Sequence, residues 1–539
     1  MHICILSSLE KLVLKFIEIY YCQLRLKRVK DIKAWLISCL AGIRLGISRL
    51  EGDEMSKKYM RDMVVLLPGI TGSVLQKDGK DIWAISGQAS WEALTSLGSS
   101  FQHLFLEKDD PDVDDLGDGI RATRLMPDVH LVPGLVKIDG YSDTARLITD
   151  NFKVEPGGIL DKTPANFFEF PYDWRRDNRV TARQLKKLID QRLPQWRQYS
   201  GEKDAKVILL AHSMGGLVAR YYLEVFEGWR DCRALITFGT PYRGSLNALD
   251  FLANGYKKLF VDLTEMMRSF TSVYQLLPIY EAIRIGSTYK RVAETDSIPG
   301  VVQARAEQAL AFHRAIEAAV TEHRKDTEYL QHGYTTIPVV GTRQPTFQSA
   351  ELIQGNLTVS RKLPDWIDEL LSDGDGIVPR LSAIPIELSE AYRDTFFPER
   401  HGSLQRNEAV LNDLRGRLEQ MQVKGLGKIR GPEISREFAE HPAISLDLND
   451  LYLGGEPVEL RVQLANLNPN EHPGPPEARI EPVGGERAMA VKKEFREEGN
   501  SWILRLEGLS PGLYRLEVRT AKAGPRAPPP VHDVFEIAG

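Results

Sequence analysis

From Met63 onward the chain alternates short apolar runs with amphipathic segments. The runs "MVVLLPG", "KVILLAHS" and "ALITFGTP" are bounded by charged or turn residues and predict buried parallel strands. Between such runs, "TARLITDNF" and "TARQLKKLIDQRL" place apolar residues at helical spacing. Strands that alternate with helices of this length predict an α/β domain with a mainly parallel sheet covered on both faces. A Gly-rich break, "VKGLGKIRGP", ends this domain, which we place at residues 55–430.

The pattern changes over residues 444–539. Here "VELRVQLAN", "SWILRLEGL" and "GLYRLEVRTA" are short strand-like runs that are separated by turn residues and lack a helical period. This pattern predicts a second, all-β domain of the immunoglobulin-like sandwich type. We interpret it as a structural appendage, with carbohydrate or partner binding as the alternative.

An apolar excursion over residues 252–300 interrupts the alternation of strands and helices. It begins "LANGYKKLFVDLTEMMRSFTSVYQLLP" and is rich in Leu, Met, Phe and Tyr. We predict a helical cap over the substrate side of the sheet. The alternative is a set of ordinary core helices.

The first 54 residues mix apolar positions with Lys and Arg. The charges leave no uncharged span of about 18 residues, which a membrane-crossing helix requires. Glu10, Lys11 and Lys15 also interrupt the apolar core that a signal peptide would need. We expect a poorly ordered extension, or sequence upstream of a start at Met55. An amphipathic helix that lies on a membrane is the alternative.

Composition narrows the functional classes. The 69 basic and 74 acidic residues are spread along the chain and give a net charge of -5, which argues against a nucleic-acid partner. Three of the four cysteines lie in the first forty residues, so no disulfide framework is expected. No zinc-type ligand spacing occurs. We therefore predict a cytoplasmic protein with no metal and no cofactor, and contact with a membrane surface is the alternative location.

Ser213 lies where the apolar run Val207–Ala211 gives way to a helical pattern. The surrounding "AHSMGG" is a Gly-x-Ser-x-Gly motif with alanine in the first small position. A sharp strand-to-helix turn exposes a serine hydroxyl, and an adjacent base activates it as a nucleophile. A serine that only caps the helix would leave Gly215 and Gly216 unexplained. We therefore predict that Ser213 is the nucleophile.

The general base should be a histidine that follows both the serine and an acid. The histidines after Ser213 are His313, His323, His332, His401, His441, His472 and His532. His401 is favoured because "FPERHGSLQRNEAVLNDL" reads as a loop followed by a helix. Asp375 in the glycine turn "LLSDGDGIVP" is the predicted acid, and Asp373 is the alternative. Its carboxylate would orient the imidazole and stabilise the imidazolium.

A tetrahedral oxyanion needs two backbone N–H donors. The residue after the nucleophile, Met214, supplies one. The loop after an early strand should supply the other, and "VVLLPGITGS" places Ile70 there. An ordinary tight turn is the alternative reading of this segment.

Seven motifs together resemble the lecithin:cholesterol acyltransferase family. They are "VVLLPGITGS", "FPYDWRRD", "AHSMGG", "LITFGTPYRGS", "SVYQLLP", "DGDGIVP" and the loop of His401, and they span roughly Met63 to Arg417. The resemblance implies an α/β-hydrolase fold with a lid, an acyl-serine intermediate and a glycerolipid-like acyl donor. It also implies the triad Ser213, Asp375 and His401, with Ile70 and Met214 in the oxyanion hole.

This chain departs from the family's pattern in three ways: it lacks the paired cysteines of the secreted members, no uncharged membrane-spanning stretch is expected ahead of the domain, and it carries the β-rich tail. The leading hypothesis is a serine-dependent acyl hydrolase or O-acyltransferase, of lipase or phospholipase type, acting on lipid esters. The alternatives are a non-catalytic binding protein on a hydrolase scaffold and an esterase for small acyl groups. We expect the "PYDWR" segment to pin a loop beside the nucleophile rather than to contact substrate.

Overall fold

A computed structural model of the protein describes residues 57–84, 103–127, 129–132, 136–258, 261–388, 395–423, 442–467, 473–483, 491–522 and 527–538. The extension predicted over residues 1–54 lies outside these ranges, and so does most of the Gly-rich break. Contacts divide the chain into Met1–Lys58 and Tyr59–Gly539, and the second unit contains nearly all the described residues.

The helices are α1 (Ser142–Asn151), α2 (Asn178–Ser200), α3 (Gly215–Glu224), α4 (Leu246–Asn254), α5 (Thr264–Ser269), α6 (Thr271–Tyr274), α7 (Gln303–His323), α8 (Thr327–His332), α9 (Arg380–Ala383) and α10 (Glu408–Met421). Short 3-10 turns span Gly228–Arg230, Val292–Glu294, Glu369–Leu371 and His401–Ser403.

The strands up to residue 397 are β1 (Lys58–Tyr59), β2 (Met63–Leu67), β3 (Ser73–Lys77), β4 (Lys80–Trp83), β5 (Ile120–Leu125), β6 (Val129–Val132), β7 (Val136–Asp139), β8 (Phe152–Lys153), β9 (Phe167–Glu169), β10 (Val207–His212), β11 (Cys232–Phe238), β12 (Lys257–Lys258), β13 (Val261–Asp262), β14 (Ile283–Ile285), β15 (Thr288–Lys290), β16 (Thr335–Gly341), β17 (Ser349–Ile353), β18 (Asn356–Ser360) and β19 (Phe396–Phe397). Those that follow are β20 (Ala443–Asp447), β21 (Leu451–Leu453), β22 (Val458–Ala465), β23 (Pro476–Pro482), β24 (Val491–Glu494), β25 (Arg496–Glu498), β26 (Ser501–Leu506), β27 (Gly512–Thr520) and β28 (Val531–Ala538).

A parallel sheet with the strand order β19-β16-β11-β10-β2-β9 forms the centre of the fold. Every residue of β2 and β10 is buried, which explains why both strands are continuous apolar runs. Flanking helices such as α2 and α3 bury apolar residues against the core. This α/β core with a parallel sheet fits an α/β-hydrolase, and the carboxyl ends of its strands share one edge.

The excursion over residues 252–300 contains short elements. Its helices α5 and α6 have six and four residues, and the strand pairs β12–β13 and β14–β15 lie on either side of them. Strand β14 also joins β17 and β18 in a small mixed sheet. The apolar side chains Met266, Met267 and Phe270 are buried in the main core.

Strands β20–β28 form the C-terminal β region. One antiparallel sheet has the order β20-β22-β26-β25. The other has the order β21-β28-β27-β23-β24 and is antiparallel except for the β21–β28 pair. Apolar residues of both sheets share a core of their own. A smaller cluster joins this region to strand β6 of the α/β part through Val129, Leu131, Val483, Leu513 and Val534.

Among the residues that the structure describes, no helix has the length and apolar character needed to cross a membrane.

Candidate active site

Ser213 occupies a strained turn between β10 and α3. Its φ of 51° lies in the left-handed region, which side chains other than glycine rarely adopt. Its N–H donates to the Phe238 carbonyl at 2.9 Å, and its carbonyl accepts from Gly216 N–H at 3.1 Å and from Thr240 Oγ1 at 2.9 Å. These three hydrogen bonds hold the strained backbone in place.

The small residues of "AHSMGG" are required by close backbone approach. A Cβ added at Gly216 would overlap the Thr240 side chain, and one at Gly215 would lie 2.5 Å from the Pro68 carbonyl oxygen. The motif therefore reflects the packing of the turn between β2 and β11, its neighbours in the sheet.

The structure brings Ser213, His401 and Asp375 together at the carboxyl edge of the sheet. His401 Nε2 lies 2.9 Å from Ser213 Oγ, and His401 Nδ1 lies 2.8 Å from Asp375 Oδ2. The other carboxylate oxygen, Asp375 Oδ1, accepts from Ile377 N–H at 3.0 Å and from Val378 N–H at 2.7 Å. Because a carboxylate can only accept, Nδ1 carries the proton and Nε2 can accept the serine proton.

All three side chains are buried. Ser213 is 4% exposed, and Asp375 and His401 are each 1% exposed. Gly239 and Gly341 make room for them, because a Cβ at Gly239 would lie 2.8 Å from Asp375 Oδ2 and one at Gly341 would overlap Asp375 itself.

The alternative acid and bases lie elsewhere. Asp373 faces Arg343 at 3.7 Å. His313 donates to the Gln275 carbonyl at 2.8 Å, and burial lowers its pKa to about 4. His323 contacts Glu224, His332 is exposed at the end of α8, and His532 contacts Glu399. His441 and His472 lie outside the described residues.

The Pro68–Ser73 loop lies directly against Ser213. A Cβ added at Gly69 would lie 2.8 Å from the Cβ of Ser213 and 3.4 Å from its Oγ. Ile70 and Met214 are both buried beside this contact, and their backbone amides donate to no atom in the part of the chain that the structure describes. Two amides near one serine are the donor set that an oxyanion hole requires.

A buried hydrogen-bond chain that sequence reasoning missed links this loop to His401. Gly69 N–H donates to the Tyr141 hydroxyl oxygen at 2.8 Å, and this hydroxyl lies 3.0 Å from His212 Nδ1. His212 Nε2 lies 3.1 Å from the His401 carbonyl oxygen, which can only accept, so Nε2 carries the proton and the Tyr141 hydroxyl donates to Nδ1. Burial, followed by the charge of His401, lowers the pKa of His212 to about 3. His212 is therefore neutral and acts as a fixed bridge.

The "PYDWR" segment contacts the same loop from the other side. The Tyr172 hydroxyl donates to the Pro68 carbonyl at 2.8 Å, and the indole N–H of Trp174 donates to the Ser73 carbonyl at 3.1 Å. Arg175 is buried and pairs with Asp173. These contacts match the loop-pinning role expected from the sequence.

Metal-ligating side chains and cavities are the features that could form a ligand site near Ser213. Within the described ranges, no group of three or more His, Cys, Asp or Glu residues is arranged to hold a metal ion. A cavity of about 1180 Å³ lies between β5 and the "PYDWR" segment, but its lining does not include Ser213, Asp375 or His401.

The family model of lecithin:cholesterol acyltransferase matches residues 160–332. The match confirms the family resemblance, and it contains Ser213 but neither Asp375 nor His401. No curated protein matches the chain.

Three solved structures illustrate the structural likenesses. Bacillus licheniformis lipase BlEst2 in its mature form is 13% identical, with 67% of this chain and 92% of that chain covered and a TM-score of 0.26. Its propeptide form is also 13% identical, with coverages of 88% and 93% and a TM-score of 0.27. Phospholipase PlaB from Legionella pneumophila is 10% identical, with coverages of 88% and 90% and a TM-score of 0.18.

Proposed function

We propose that this protein is a serine-dependent acyl hydrolase or O-acyltransferase that acts on lipid esters. The observation that carries the proposal is the hydrogen-bonded series Ser213 Oγ, His401 and Asp375 at the carboxyl edge of a parallel sheet. Ser213 is the nucleophile, His401 is the general base, and Asp375 orients the imidazole. The match to an acyltransferase family over residues 160–332 supports this reaction class.

The reaction divides into two steps. His401 Nε2 accepts the Ser213 proton while Oγ attacks the ester carbonyl, and Ile70 and Met214 N–H groups stabilise the oxyanion. Collapse of the tetrahedral intermediate breaks the bond to the alkoxy group, which takes the proton from His401 and leaves an acyl-serine. Water then gives a free fatty acid, whereas an acceptor alcohol gives a new ester.

Lipid esters are the proposed substrate class because the matched family is named for an acyltransferase whose donor and acceptor are lipids. A buried Ser213 keeps water from the reacting atoms until substrate enters.

The test uses the Ser213→Ala variant of the full chain. Wild type should release nitrophenol from a p-nitrophenyl acyl ester, and the variant should not, while both unfold at the same temperature. Ser200→Ala is the matched control, because Ser200 Oγ lies at the end of α2, where it donates to the Trp196 carbonyl at 2.7 Å, accepts from Glu202 N–H at 3.2 Å and contacts the Tyr59 hydroxyl. Retained turnover in Ser213→Ala would contradict the proposal.

The acyl acceptor needs a second measurement. Incubation of wild type with mixed phospholipids and a labelled sterol or diacylglycerol, followed by mass spectrometry, separates free fatty acid from new ester. Absence of both products, with p-nitrophenyl esters still cleaved, would favour an esterase for small acyl groups.

The domain organisation is also proposed. We assign residues 55–430 to the hydrolase domain, with a cap around 252–300, and residues 444–539 to an immunoglobulin-like sandwich. The two sheets of the C-terminal β region and their common core support the sandwich. A cytoplasmic location, with transient contact at a membrane surface, completes the proposal.

A further inference from the structure

A buried carboxylate lies two residues before His401. Glu399 has no exposed surface, and four donors surround its oxygens. Its Oε1 accepts from Arg400 N–H and His532 N–H, both at 2.9 Å. Its Oε2 accepts from Asn407 Nδ2 at 2.8 Å and contacts His532 Nδ1 at 2.7 Å. A buried carboxylate is costly without such donors, so these bonds determine where the residues around it lie.

Two of the four donors belong to His532, which lies on β28 of the C-terminal β region. Burial lowers the pKa of His532, but the charge and hydrogen bond of Glu399 outweigh it, so the pKa is raised overall. Because a carboxylate can only accept, His532 Nδ1 carries the proton and donates to Glu399 Oε2. Because a substitution of His532 keeps the backbone N–H, it would remove only the Nδ1 donor and leave Glu399 with three of its four donors.

The next residue of β28 contacts the same loop. Asp533 is buried and pairs with Arg400 at 2.8 Å, and it also pairs with Lys137 at 3.1 Å. The backbone of Lys137 packs against Gly402, where an added Cβ would overlap the Lys137 carbonyl. Residues on both sides of His401 are thus held by contacts that involve β28.

The C-terminal β region also contacts the loop of the acid. Gln344 Nε2 donates to the Ile444 carbonyl at 3.0 Å, and Leu446 N–H donates to Gln344 Oε1 at 3.1 Å. The backbone N–H of Gln344 in turn donates to the Gly374 carbonyl at 3.0 Å, next to Asp375. Both loops that carry the proposed acid and base are therefore anchored to β20 or β28.

We propose that the C-terminal β region positions the loops that carry Asp375 and His401. In this arrangement His532 is a positioning residue that holds His401 against Ser213 through Glu399. This inference rests on the proposed function, because it assigns His532 a role through the base His401. It replaces the expectation of a structural appendage with a specific task. His532 touches neither Ser213 nor Asp375 in the described contacts, so its effect on turnover has to pass through the loop.

The test compares His532→Leu with His532→Asn in the full chain. Leucine removes the donor to Glu399, whereas an asparagine amide can place an N–H where Nδ1 lies. We expect His532→Leu to lower kcat about 10- to 100-fold with little change in KM, because small displacements of a base are costly. We expect His532→Asn to restore kcat to within about threefold of wild type, since an equivalent donor remains.

A matched control separates positioning from general loss of stability. His323→Leu removes an imidazole that contacts another buried carboxylate, Glu224, at 2.8 Å in a different part of the fold. It should lower the unfolding temperature to a similar extent and leave kcat unchanged. Equal losses of kcat in His323→Leu and His532→Leu would overturn the inference, and so would unchanged kcat in a folded His532→Leu.

Two further arms complete the design. If His532→Leu does not fold, His532→Gln replaces it in the comparison with His532→Asn. The longer side chain of glutamine carries its amide past Glu399, so kcat should be lower than in His532→Asn. Equal kcat in these two variants would overturn the inference. Ser213→Ala and His401→Ala are measured in parallel. Full turnover in either of them refutes the proposed function, whereas their inactivity together with a normal His532→Leu refutes only the positioning role.

Discussion

The hydrogen bonds of Asp375 make Asp375→Asn a sharp test of how His401 is oriented. In the native site Oδ1 accepts from Ile377 and Val378 N–H, and Oδ2 faces His401 Nδ1. An asparagine can keep both amide bonds only if its own NH₂ group faces His401. That group donates, so Nδ1 must become the acceptor and the proton must move to Nε2. Nε2 can then no longer accept the proton of Ser213.

The expected loss is large in rate and small in stability. An imidazole in the wrong tautomer lowers kcat about 10⁴-fold, which corresponds to about 5.5 kcal/mol in the activation barrier. The two backbone amides keep their acceptor, so the free energy of unfolding should fall by only about 1 kcal/mol, the net value of one hydrogen bond. The catalytic loss should thus greatly exceed the loss of stability.

The assay is kcat and KM for a p-nitrophenyl ester, with the free energy of unfolding measured by denaturant on the same preparation. Asp373→Asn is the control, because Asp373 faces Arg343 and not His401. Its kcat should stay within about threefold of wild type, since no tautomer is changed. If folded Asp375→Asn keeps more than about a tenth of wild-type kcat, the tautomer argument is wrong.

Two other predictions concern the buried hydrogen-bond chain that links Gly69, Tyr141, His212 and His401. Tyr141→Phe should cost about 1–3 kcal/mol of stability, because Gly69 N–H loses its acceptor and His212 Nδ1 its donor. It should also lower kcat, because the Pro68–Ser73 loop beside Ser213 would be displaced. Tyr280→Phe, which loses one bond to a backbone carbonyl elsewhere, should lower stability in denaturant melts but not kcat. His212, whose pKa falls from 6.5 to about 3 on folding, stays neutral in the folded protein while the unfolded chain takes up a proton below pH 6.5. Its contribution to stability is therefore full above pH 6.5 and is lost toward pH 3 at about 1.4 kcal/mol per pH unit. In denaturant melts, the free energy of unfolding of His212→Asn should therefore fall less steeply with decreasing pH than that of wild type. Equal slopes for the two proteins would contradict this reasoning.

Much of the α/β core could be predicted from local sequence patterns. Strands β2 and β10 are almost entirely apolar because both faces of the sheet are covered, and that signal lies within a few adjacent residues. The short β14–β15 and β17–β18 pairs escaped notice, since three to five residues leave little periodicity to detect. The excursion before them read as helical, yet its helices are very short.

In the candidate site, too, residues within local motifs could be predicted from the sequence, whereas contacts between distant parts of the chain could not. Ser213 lies in a contiguous motif in which close neighbours leave no room for side chains at Gly215 and Gly216. The motif could therefore be recognised from the sequence alone. The contacts of Glu399 with His532 and of Tyr141 with His212 join residues far apart in the chain, and neither partner sits in a recognisable pattern. Buried polar pairs of this kind become visible only when the fold brings them together. The roles of Ser213, Asp375, His401, Ile70 and Met214 stay predictions until they are measured.

Covalent trapping tests the central claim most directly. The full chain is treated with a p-nitrophenyl alkylphosphonate, which leaves a stable adduct on an activated serine, and peptides are then mapped by mass spectrometry. We predict one adduct, on the peptide that contains Ser213, formed in step with the loss of ester turnover and absent from Ser213→Ala. Complete inactivation with the adduct on another residue, or full turnover after Ser213 is modified, would contradict the account.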